Sequence, residues 1–471
     1  MKRFLSSATR DYSLQFNDKT FTSIPRTGLT VSSGGIGTYR MRSASKEHRE
    51  AIISAFHSGI NLVDTSSHFG SGSAESLVGE CIKQCGVPRD QLVMVSKAGF
   101  VTDANVHPSW EAAVINQSMQ HCISYGFLRS EIEASLKRMD LESLDVFLIN
   151  NPERMLHATN KRITTTVLYE MLGETFHRLD QLVASGMIGS FGICSNSMHI
   201  RTSQEFLSLE RILELASDNF STIQVPFNLF EKDAIDEGFD GSPSLLNVCK
   251  TNGVFAMLHR PLNTIENGKI RLLAQYELSQ TSDEAAIVSH LTKLFDDAAS
   301  QESRLASCVD AEDTFILSMF VWSQVLAENL TRLTENVFAA QHYFDKQATP
   351  SLECDIQKLL ELKQNDVQFV RWTKQYEVAI KDIMQGILDL CKIRSNEANE
   401  ELNDSLNALI SSRSADSDSL SLNTLRYTLS RSKMECPHSS VIVGARKTGY
   451  VNDLVTAINS HDMFNNELRM N

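Results

Sequence analysis

The amino-acid sequence predicts an α/β fold, a (β/α)8 TIM barrel with an extra helical subdomain inserted between strands seven and eight. Short apolar runs alternate eight times with helical segments, as in parallel βα units. Asp64 and Lys97 each stand at the end of an apolar run, where such barrels carry their chemistry. Residues 269–418 separate the last two runs, which is far more than one connecting helix needs.

The eight predicted strands are short apolar runs of the kind that a buried parallel sheet requires. In chain order they cover residues 29–31, 61–65, 92–97, 146–149, 188–195, 223–228, 254–261 and 440–445. A hairpin over residues 24–28 leads into the first strand, and residues 34–39 form the exit from it. Helices are predicted at residues 46–58, from Ser73 onwards, at 127–139, at 166–185 and after the eighth strand.

Apolar stripes at helical spacing predict that the insertion is a helical subdomain. The first stripe is Phe315, Met319, Trp322, Leu326, Leu330, Leu333 and Val337, and the second is Ile380, Ile383, Ile387 and Leu390. We interpret both stripes as internal core, with a partner-binding surface as the alternative. Residues 411–421 are rich in Ser and Asp and predict a linker. The predicted segments are therefore 1–20, 21–268, 269–418 and 419–471.

Composition excludes several classes of protein. The formal net charge of −14 argues against a general nucleic-acid binder. No apolar run approaches the roughly 20 residues that a membrane span needs. The odd count of nine cysteines fits a reducing compartment. We predict no metal site, because no His or Cys spacing suits one.

The N-terminal segment is basic and rich in hydroxyl residues. Lys2, Arg3 and Arg10 precede the first acidic residue, Asp11. This composition predicts a mitochondrial transit peptide. The alternative is a disordered basic tail on a cytoplasmic protein.

Three stretches resemble the aldo-keto reductases. Residues 59–80 read GINLVDTSSHFGSGSAESLVGE, and the family's motif at this strand end reads Asp-Thr-Ala-x-x-Tyr-Gly. Residues 148–153 (LINNPE) and 224–230 (QVPFNLF) resemble strands four and six of long members of this family, including plant NAD(P)-linked oxidoreductase-like proteins. The resemblance covers about residues 21–265 and 420–460.

This resemblance implies hydride transfer between a nicotinamide cofactor and a small-molecule carbonyl substrate. Family enzymes protonate the developing alkoxide with a tyrosine, assisted by a lysine and an aspartate, while a histidine orients the carbonyl. The chain has Asp64 and Lys97 at two of these positions, but Phe69 replaces the tyrosine and Asn150 the histidine. His68 is the candidate substitute acid. Asp64 and Lys97 also have a structural alternative as a buried ion pair.

The resemblance further implies cofactor-binding positions after the last four strands. At the nicotinamide they are Ser195, Asn196 and Gln224 for the carboxamide and His259 for ring stacking. At the pyrophosphate they are Arg260 and Leu262, and at the adenosine ribose they are Gly444, Arg446 and Lys447. Two cations before a helix favour NADP over NAD. The alternative for these two cations is a solvated rim pair.

Two classes of function follow. The first is a barrel that binds NADP(H) with impaired or lost catalysis, in effect a pseudoenzyme, for which the acidic insertion would contact a protein partner. The second is an active oxidoreductase that uses a substitute acid such as His68. Phe69 favours the first class, and the retained cofactor positions keep the second open.

Overall fold

The computed structural model describes residues 2–16, 20–102, 110–266, 268–278, 283–309, 311–364, 366–408 and 418–460. The chain forms two compact units. The first comprises Met1–Leu262 and Ala408–Asn471, and the second comprises Asn263–Asn407.

The strands are β1 (Phe21–Ile24), β2 (Leu29–Ser32), β3 (Gly34–Gly37), β4 (Leu62–Asp64), β5 (Val93–Ala98), β6 (Phe100–Val101), β7 (Ala113–Asn116), β8 (Met119–His121), β9 (Leu144–Asn150), β10 (Ile188–Cys194), β11 (Phe220–Pro226), β12 (Phe255–His259), β13 (Asn263–Glu266), β14 (Lys269–Leu272) and β15 (Ser439–Val443). The helices are α1 (Lys2–Ser13), α2 (Lys46–His57), α3 (Ser73–Gln84), α4 (Tyr125–Met139), α5 (Thr165–Ala184), α6 (Leu209–Leu215), α7 (Leu245–Asn252), α8 (Glu284–Cys308), α9 (Trp322–Glu328), α10 (Leu330–Leu333), α11 (Val337–Tyr343), α12 (Thr349–Leu362), α13 (Val367–Ala408), α14 (Leu420–Glu435) and α15 (Thr448–Ser460).

A closed barrel of parallel strands organises the first unit. Its strand order is β10-β11-β12-β15-β3-β4-β5-β9, and β9 pairs with β10 to close the ring. Helices follow most of these strands, and the helical region lies between β12 and β15. The predicted (β/α)8 barrel with a helical insertion is therefore confirmed, with strands two to eight close to their predicted positions.

The first strand of the barrel differs from the prediction. Residues Leu29–Ser32 pair antiparallel with β1 in a hairpin, and the barrel strand is Gly34–Gly37. This strand needs glycines at positions 34 and 35, because neighbouring side chains leave no room for a Cβ atom there. A Cβ atom on Gly34 would lie 2.7 Å from Leu454, and one on Gly35 would lie 2.7 Å from Ile442. Side chains from the hairpin instead fill the inside of the barrel, where Ile24, Leu29 and Val31 are buried among inward-facing strand residues.

Two neighbouring barrel strands approach so closely that one of them needs a glycine. A Cβ atom on Gly192 of β10 would lie 1.7 Å from the carbonyl oxygen of Thr222 on β11. We expect Gly192→Ala to lower the free energy of unfolding by about 3 kcal/mol or more, since the backbone must move apart. Gly173→Ala is the matched control. It lies inside α5, where the nearest atom is 3.8 Å away, and should stabilise the protein by about 1 kcal/mol. Urea unfolding measures both, and equal effects would contradict the close approach.

The N-terminal segment forms α1 and packs in the first unit, which differs from a disordered tail. Tyr12 is buried and donates a hydrogen bond to the carbonyl oxygen of Phe56. The Thr9 hydroxyl accepts a hydrogen bond of 3.0 Å from the backbone N–H of Thr30. Cleavage after residue 20 would remove both contacts. Mitochondrial targeting stays a prediction.

The second unit contains the β13–β14 hairpin and helices α8 to α13. Its core surrounds α13, on which all four residues of the second predicted stripe are buried. Tyr376 donates a hydrogen bond of 2.6 Å to Glu302, and Trp372 stacks on the Tyr376 ring at 4.7 Å. The first stripe is divided among several short helices, and Phe315 on it is 53% exposed.

The predicted linker, residues 411–421, lies mostly outside the described residues. After it, α14 packs on the barrel through Leu422, Leu425 and Leu429, a helix that the sequence analysis did not anticipate. Among the residues that the structure describes, no helix has the length and apolar character to cross a membrane.

Candidate active site

The predicted catalytic residues meet at the carboxyl ends of the barrel strands. Asp64 ends β4, Lys97 lies near the end of β5 and Asn150 ends β9. The strand register places Asn150 beside Cys194 and Cys194 beside Gln224. Because parallel strands present these ends at one edge, residues distant in sequence share one site.

Asp64 and Lys97 form a buried ion pair at this edge. Their side chains are 7% and 4% exposed, and the ammonium of Lys97 also donates to the carbonyl oxygen of Thr65 at 3.0 Å. The ring centre of Phe69 lies 4.9 Å from Nζ of Lys97, a cation–π contact. The lysine therefore faces an aromatic ring at the position where the resemblance implies a hydroxyl group.

A row of rings runs from Phe69 in both directions. Tyr39 meets Phe69 edge-on at 5.2 Å and is 59% exposed, so the row begins at the surface. The ring centre of His68 lies 4.9 Å from that of Phe69 and 4.9 Å from that of Phe100. Phe100 lies 5.3 Å from His121, which is fully buried. We call this set of five the aromatic wall.

His68 is held by a short chain of hydrogen bonds. Its Nδ1 lies 2.8 Å from the hydroxyl of Ser66, and that hydroxyl donates to the carbonyl oxygen of Lys97 at 2.8 Å. Burial, followed by the positive charge of Lys97 and the proximity of His121, lowers the pKa of His68 to about 4. The ring is therefore neutral at physiological pH and cannot supply the proton of a general acid there.

Asn150 is held through its backbone by a histidine that sequence reasoning missed. Nε2 of His121 donates to the carbonyl oxygen of Asn150 at 2.7 Å, and Nδ1 of His121 is buried with no partner in the described part of the chain. Burial lowers the pKa of His121 to about 4. No motif marked His121, because a three-stranded antiparallel sheet formed by β6, β7 and β8 brings it to the site.

The predicted carboxamide ligands differ in whether their polar atoms already have hydrogen-bond partners. Both amide atoms of Gln224 are buried and have no partner among the described residues. The Ser195 hydroxyl instead accepts from the backbone of Ser197 and Met198 at 3.2 and 3.0 Å. The backbone N–H of Asn196 donates to Glu153 at 3.0 Å.

Glu153 is a further buried group that was not assigned a role, although it lies in the LINNPE motif. One of its oxygens accepts from Asn151 and from the Asn196 backbone, and the other has no partner within the described ranges. Burial raises the pKa of its carboxyl group. Cys194 is buried nearby, and burial raises the pKa of its thiol to about 12.

Arg260 follows β12 with a left-handed backbone (φ 60°), which is uncommon for a residue with a side chain. Glu231 pairs with its guanidinium at 3.2 Å, and the Asn228 side chain donates to its carbonyl oxygen at 3.3 Å. Burial and the charge of Arg260 lower the pKa values of His259 and His199, the latter to about 4.

His199, four residues after Ser195, is the second histidine that sequence reasoning missed. Both of its ring nitrogens are buried without a partner in the described ranges, as is Nε2 of His259. Leu262 is half-buried against the barrel core, and Gly444 is exposed with open space around its Cβ position.

A basic cluster lies where α15 begins. Arg446 is exposed, and Nζ of Lys447 lies 5.9 Å from the centre of the Tyr450 ring. Burial lowers the pKa of His48, and the charges of Arg446 and Arg42 lower it further, which places these residues near each other. The first N–H groups of a helix together with these cations suit a phosphate.

The residues present fit a nicotinamide cofactor. Buried polar atoms normally have partners, so the amide of Gln224 and the nitrogens of His199 and His259 call for a ligand or water. A carboxamide supplies both a donor and an acceptor, which is what an unpartnered glutamine amide requires. No group of three or more metal-ligating side chains occurs in the part of the chain that the structure describes.

Comparison with known proteins identifies the family. A model of the aldo/keto reductase family matches residues 33–307. Aldo-keto reductase YhdN of Bacillus subtilis is 26% identical over 248 residues, which cover 51% of this chain and 62% of that protein. The NADH-specific methylglyoxal reductase of Escherichia coli is 24% identical over 245 residues, covering 50% of this chain and 65% of that protein. The chain thus matches somewhat less than two thirds of the length of either relative.

Among solved structures, the glycerol dehydrogenase of Gluconobacter oxydans is 16% identical, with coverage of 94% of this chain and 90% of that one and a TM-score of 0.49. The family model spans more than half of the 471 residues, and the closed parallel barrel is the architecture that the sequence resemblance implied. This chain belongs to the aldo/keto reductase family.

Proposed function

We propose that this protein binds NADP(H) at the carboxyl end of its barrel and that the family's tyrosine-dependent carbonyl reduction is impaired or lost in it. The observation that carries this proposal is the contact between the Phe69 ring and Lys97. A bound nicotinamide supplies hydride to a carbonyl or accepts it from an alcohol. The protein must still move one proton, and Phe69 has none to donate.

The replacement of the family's histidine by Asn150 also weakens catalysis. An imidazole can orient a carbonyl and also exchange protons near neutral pH, whereas the amide of Asn150 can only donate a hydrogen bond. Loss of a positioned acid costs about 10²–10⁴-fold in rate. With both positions changed, turnover by the family's usual route should be slow.

Cofactor binding is supported by different residues. Gln224, His259 and Arg260 would hold the nicotinamide and pyrophosphate end, where buried polar atoms are without partners. Arg446 and Lys447, beside the first turn of α15, would hold the adenosine ribose phosphate and favour NADP over NAD. The E. coli relative is named NADH-specific, so preference within the family varies and must be measured for this chain.

The second candidate is an active oxidoreductase in which another group moves the proton. His68 favours it, because the His68 ring lies 4.9 Å from the Phe69 ring, next to the position of the tyrosine. If neither candidate chemistry operates, the protein serves as a scaffold, and the helical unit would be the surface that meets a protein partner.

NADPH titration followed by nicotinamide fluorescence tests the binding proposal, with NADH alongside. We expect saturable binding of both, tighter for NADPH. Arg446→Glu with Lys447→Glu should weaken NADPH binding about 10-fold or more and leave NADH binding nearly unchanged, since only NADPH carries the ribose phosphate. Arg304→Glu, an exposed charge reversal on α8, is the control.

Equal affinity of the unaltered protein for NADPH and NADH would contradict the phosphate assignment. Absence of binding to either cofactor would contradict the whole proposal and leave the scaffold role.

Mitochondrial location is a separate proposal. A fluorescent protein fused after residue 20 should enter mitochondria, and a diffuse cytoplasmic signal would refute it.

A further inference from the structure

We propose that His68 is a general base positioned to accept the proton of an alcohol, so that the chemistry left to this site is alcohol oxidation rather than carbonyl reduction. The proposal rests on the proposed function, because it requires the oxidised cofactor to bind. Three features of the described residues carry it: the tautomer of His68, its neutral state and its place in the aromatic wall.

The hydrogen bonds around Ser66 determine the tautomer. Its hydroxyl oxygen lies 2.8 Å from the carbonyl oxygen of Lys97 and 2.8 Å from Nδ1 of His68. A carbonyl oxygen can only accept, and two oxygens 2.8 Å apart need a proton between them, so Ser66 gives its single hydroxyl proton to Lys97. The oxygen of Ser66 must then accept from His68, which places the ring proton on Nδ1. Nε2 of the neutral ring consequently carries a lone pair.

The surroundings of His68 keep the ring neutral. Burial has the largest effect, and the groups that face it add to it: the ammonium of Lys97 from β5 and His121 from β8 both lower its pKa. The other contacts, Phe69 and Phe100, carry no charge. With a pKa of about 4, His68 has an unprotonated Nε2 at physiological pH, which can accept a hydrogen bond from an alcohol but holds no proton to donate.

His68 lies next to the position of the missing acid. Phe69 occupies the tyrosine position, and the His68 ring lies against it at 4.9 Å, while Phe69 itself contacts Lys97. Nε2 makes no hydrogen bond with any described residue, although Nδ1 is held firmly. A hydroxyl group that binds to the His68 ring would therefore donate to Nε2, because Nδ1 is already bonded to Ser66.

The chemistry balances with the cofactor that the proposed function names. The alcohol O–H bond breaks and its proton goes to Nε2 of His68. The oxidised nicotinamide, held by Gln224, His259 and Arg260, would accept the hydrogen of the carbinol carbon with its electron pair, and the alcohol would become a carbonyl. The positive charge of Lys97 favours the developing alkoxide. The aromatic wall suits an alcohol with an apolar or aromatic body.

Nitrogen-15 NMR of the histidines tests the tautomer without any turnover. With His68→Phe used to assign the signal, we expect His68 in the Nδ1–H form, titrating near pH 4. An Nε2–H form, or a pKa near the usual 6.5, would overturn the proposal. Ser66→Ala should shift the signal toward the Nε2–H form, while Ser67→Ala, a neighbour outside the hydrogen-bond chain, should not.

Steady-state kinetics test whether the site oxidises alcohols rather than reduces carbonyls, after NADP⁺ titration has established binding. The probes are benzyl alcohol, 1-phenylethanol and cyclohexanol with NADP⁺, and the corresponding carbonyls with NADPH. We expect measurable oxidation with kcat/KM constant above about pH 5, a loss of about 10²-fold or more in His68→Phe, and reduction that increases only toward acid pH.

The outcomes separate the two proposals. Failure to bind NADP⁺ refutes the proposed function and with it the basis of this inference. Binding without oxidation of any probe, or oxidation that His68→Phe leaves unchanged, overturns the role of His68 while the proposed cofactor binding stands. A smaller loss in Ser66→Ala, with Ser67→Ala unaffected, would support Ser66 as the residue that positions His68.

Discussion

The double variant Phe69→Tyr with Asn150→His is expected to reduce carbonyls with NADPH about 10²–10⁴-fold faster than the unaltered protein. The tyrosine would return a hydroxyl to the ring that now contacts Lys97, and the histidine would return an imidazole to the end of β9. Phe69→Tyr alone should recover only part of this gain, because the carbonyl would still lack its orienting group. NADPH consumption with a benzaldehyde substrate measures all variants.

Phe100→Tyr is the matched control for this experiment. It also adds a phenol to the aromatic wall, but the phenol does not lie against Lys97, so no gain is expected. A double variant that binds NADPH normally and stays inactive would show that the site has changed beyond these two positions. Equal gains from Phe69→Tyr and Phe100→Tyr would contradict the residue assignment itself.

Loss of one partner from the ion pair of Asp64 and Lys97 is expected to destabilise the first unit strongly. Both side chains are almost fully buried, so Asp64→Leu leaves an ammonium without its counter-ion and should cost about 3–5 kcal/mol. Combining Asp64→Leu with Lys97→Met removes the uncompensated charge and should recover much of that loss. Urea unfolding of the two single variants and the double variant measures the coupling.

A surface pair provides the comparison. Lys83 and Asp140 lie 2.6 Å apart with side chains 59% and 74% exposed, so Lys83→Met should have no measurable effect on unfolding. If Asp64→Leu is equally mild, the pair has no structural role, and its presence would then argue for catalysis. A strong loss that the double variant recovers would show that the cost comes from the stranded charge, which is sufficient reason for the two residues to be retained together.

The fold could be predicted from the sequence largely because its signals are local. Apolar runs at residues 92–97 and 188–195 are sufficient to indicate buried parallel strands, and the structure has strands at both places. The first barrel strand was misplaced because three of its four residues are glycines. Gly34 and Gly35 are required by the neighbouring side chains of Leu454 and Ile442, which lie more than 400 residues away in sequence. Nothing near residue 34 indicates that crowding.

The residues of the candidate site likewise include some that the sequence could predict and some that it could not. Asp64 and Lys97 could be placed at the carboxyl edge of the barrel because each lies at or next to the end of its own strand, a position that the sequence pattern alone indicates. His121 could not, because it reaches Asn150 through antiparallel strand pairing rather than through spacing along the chain. The proton position on His68 was likewise inaccessible, since it depends on which acceptor Ser66 serves.

The insertion of the helical unit also affects how the barrel folds while the ribosome synthesises the chain. Strand β15 closes the ring between β12 and β3, with Val441 opposite Gly34. At about 5–20 residues per second, a ribosome needs roughly 20–80 s to travel between those two residues. During that interval the strands already synthesised have unsatisfied edges, while residues 263–407 form a unit of their own and can fold first. The nascent barrel should therefore depend on chaperones for longer than a barrel of the same size without an insertion.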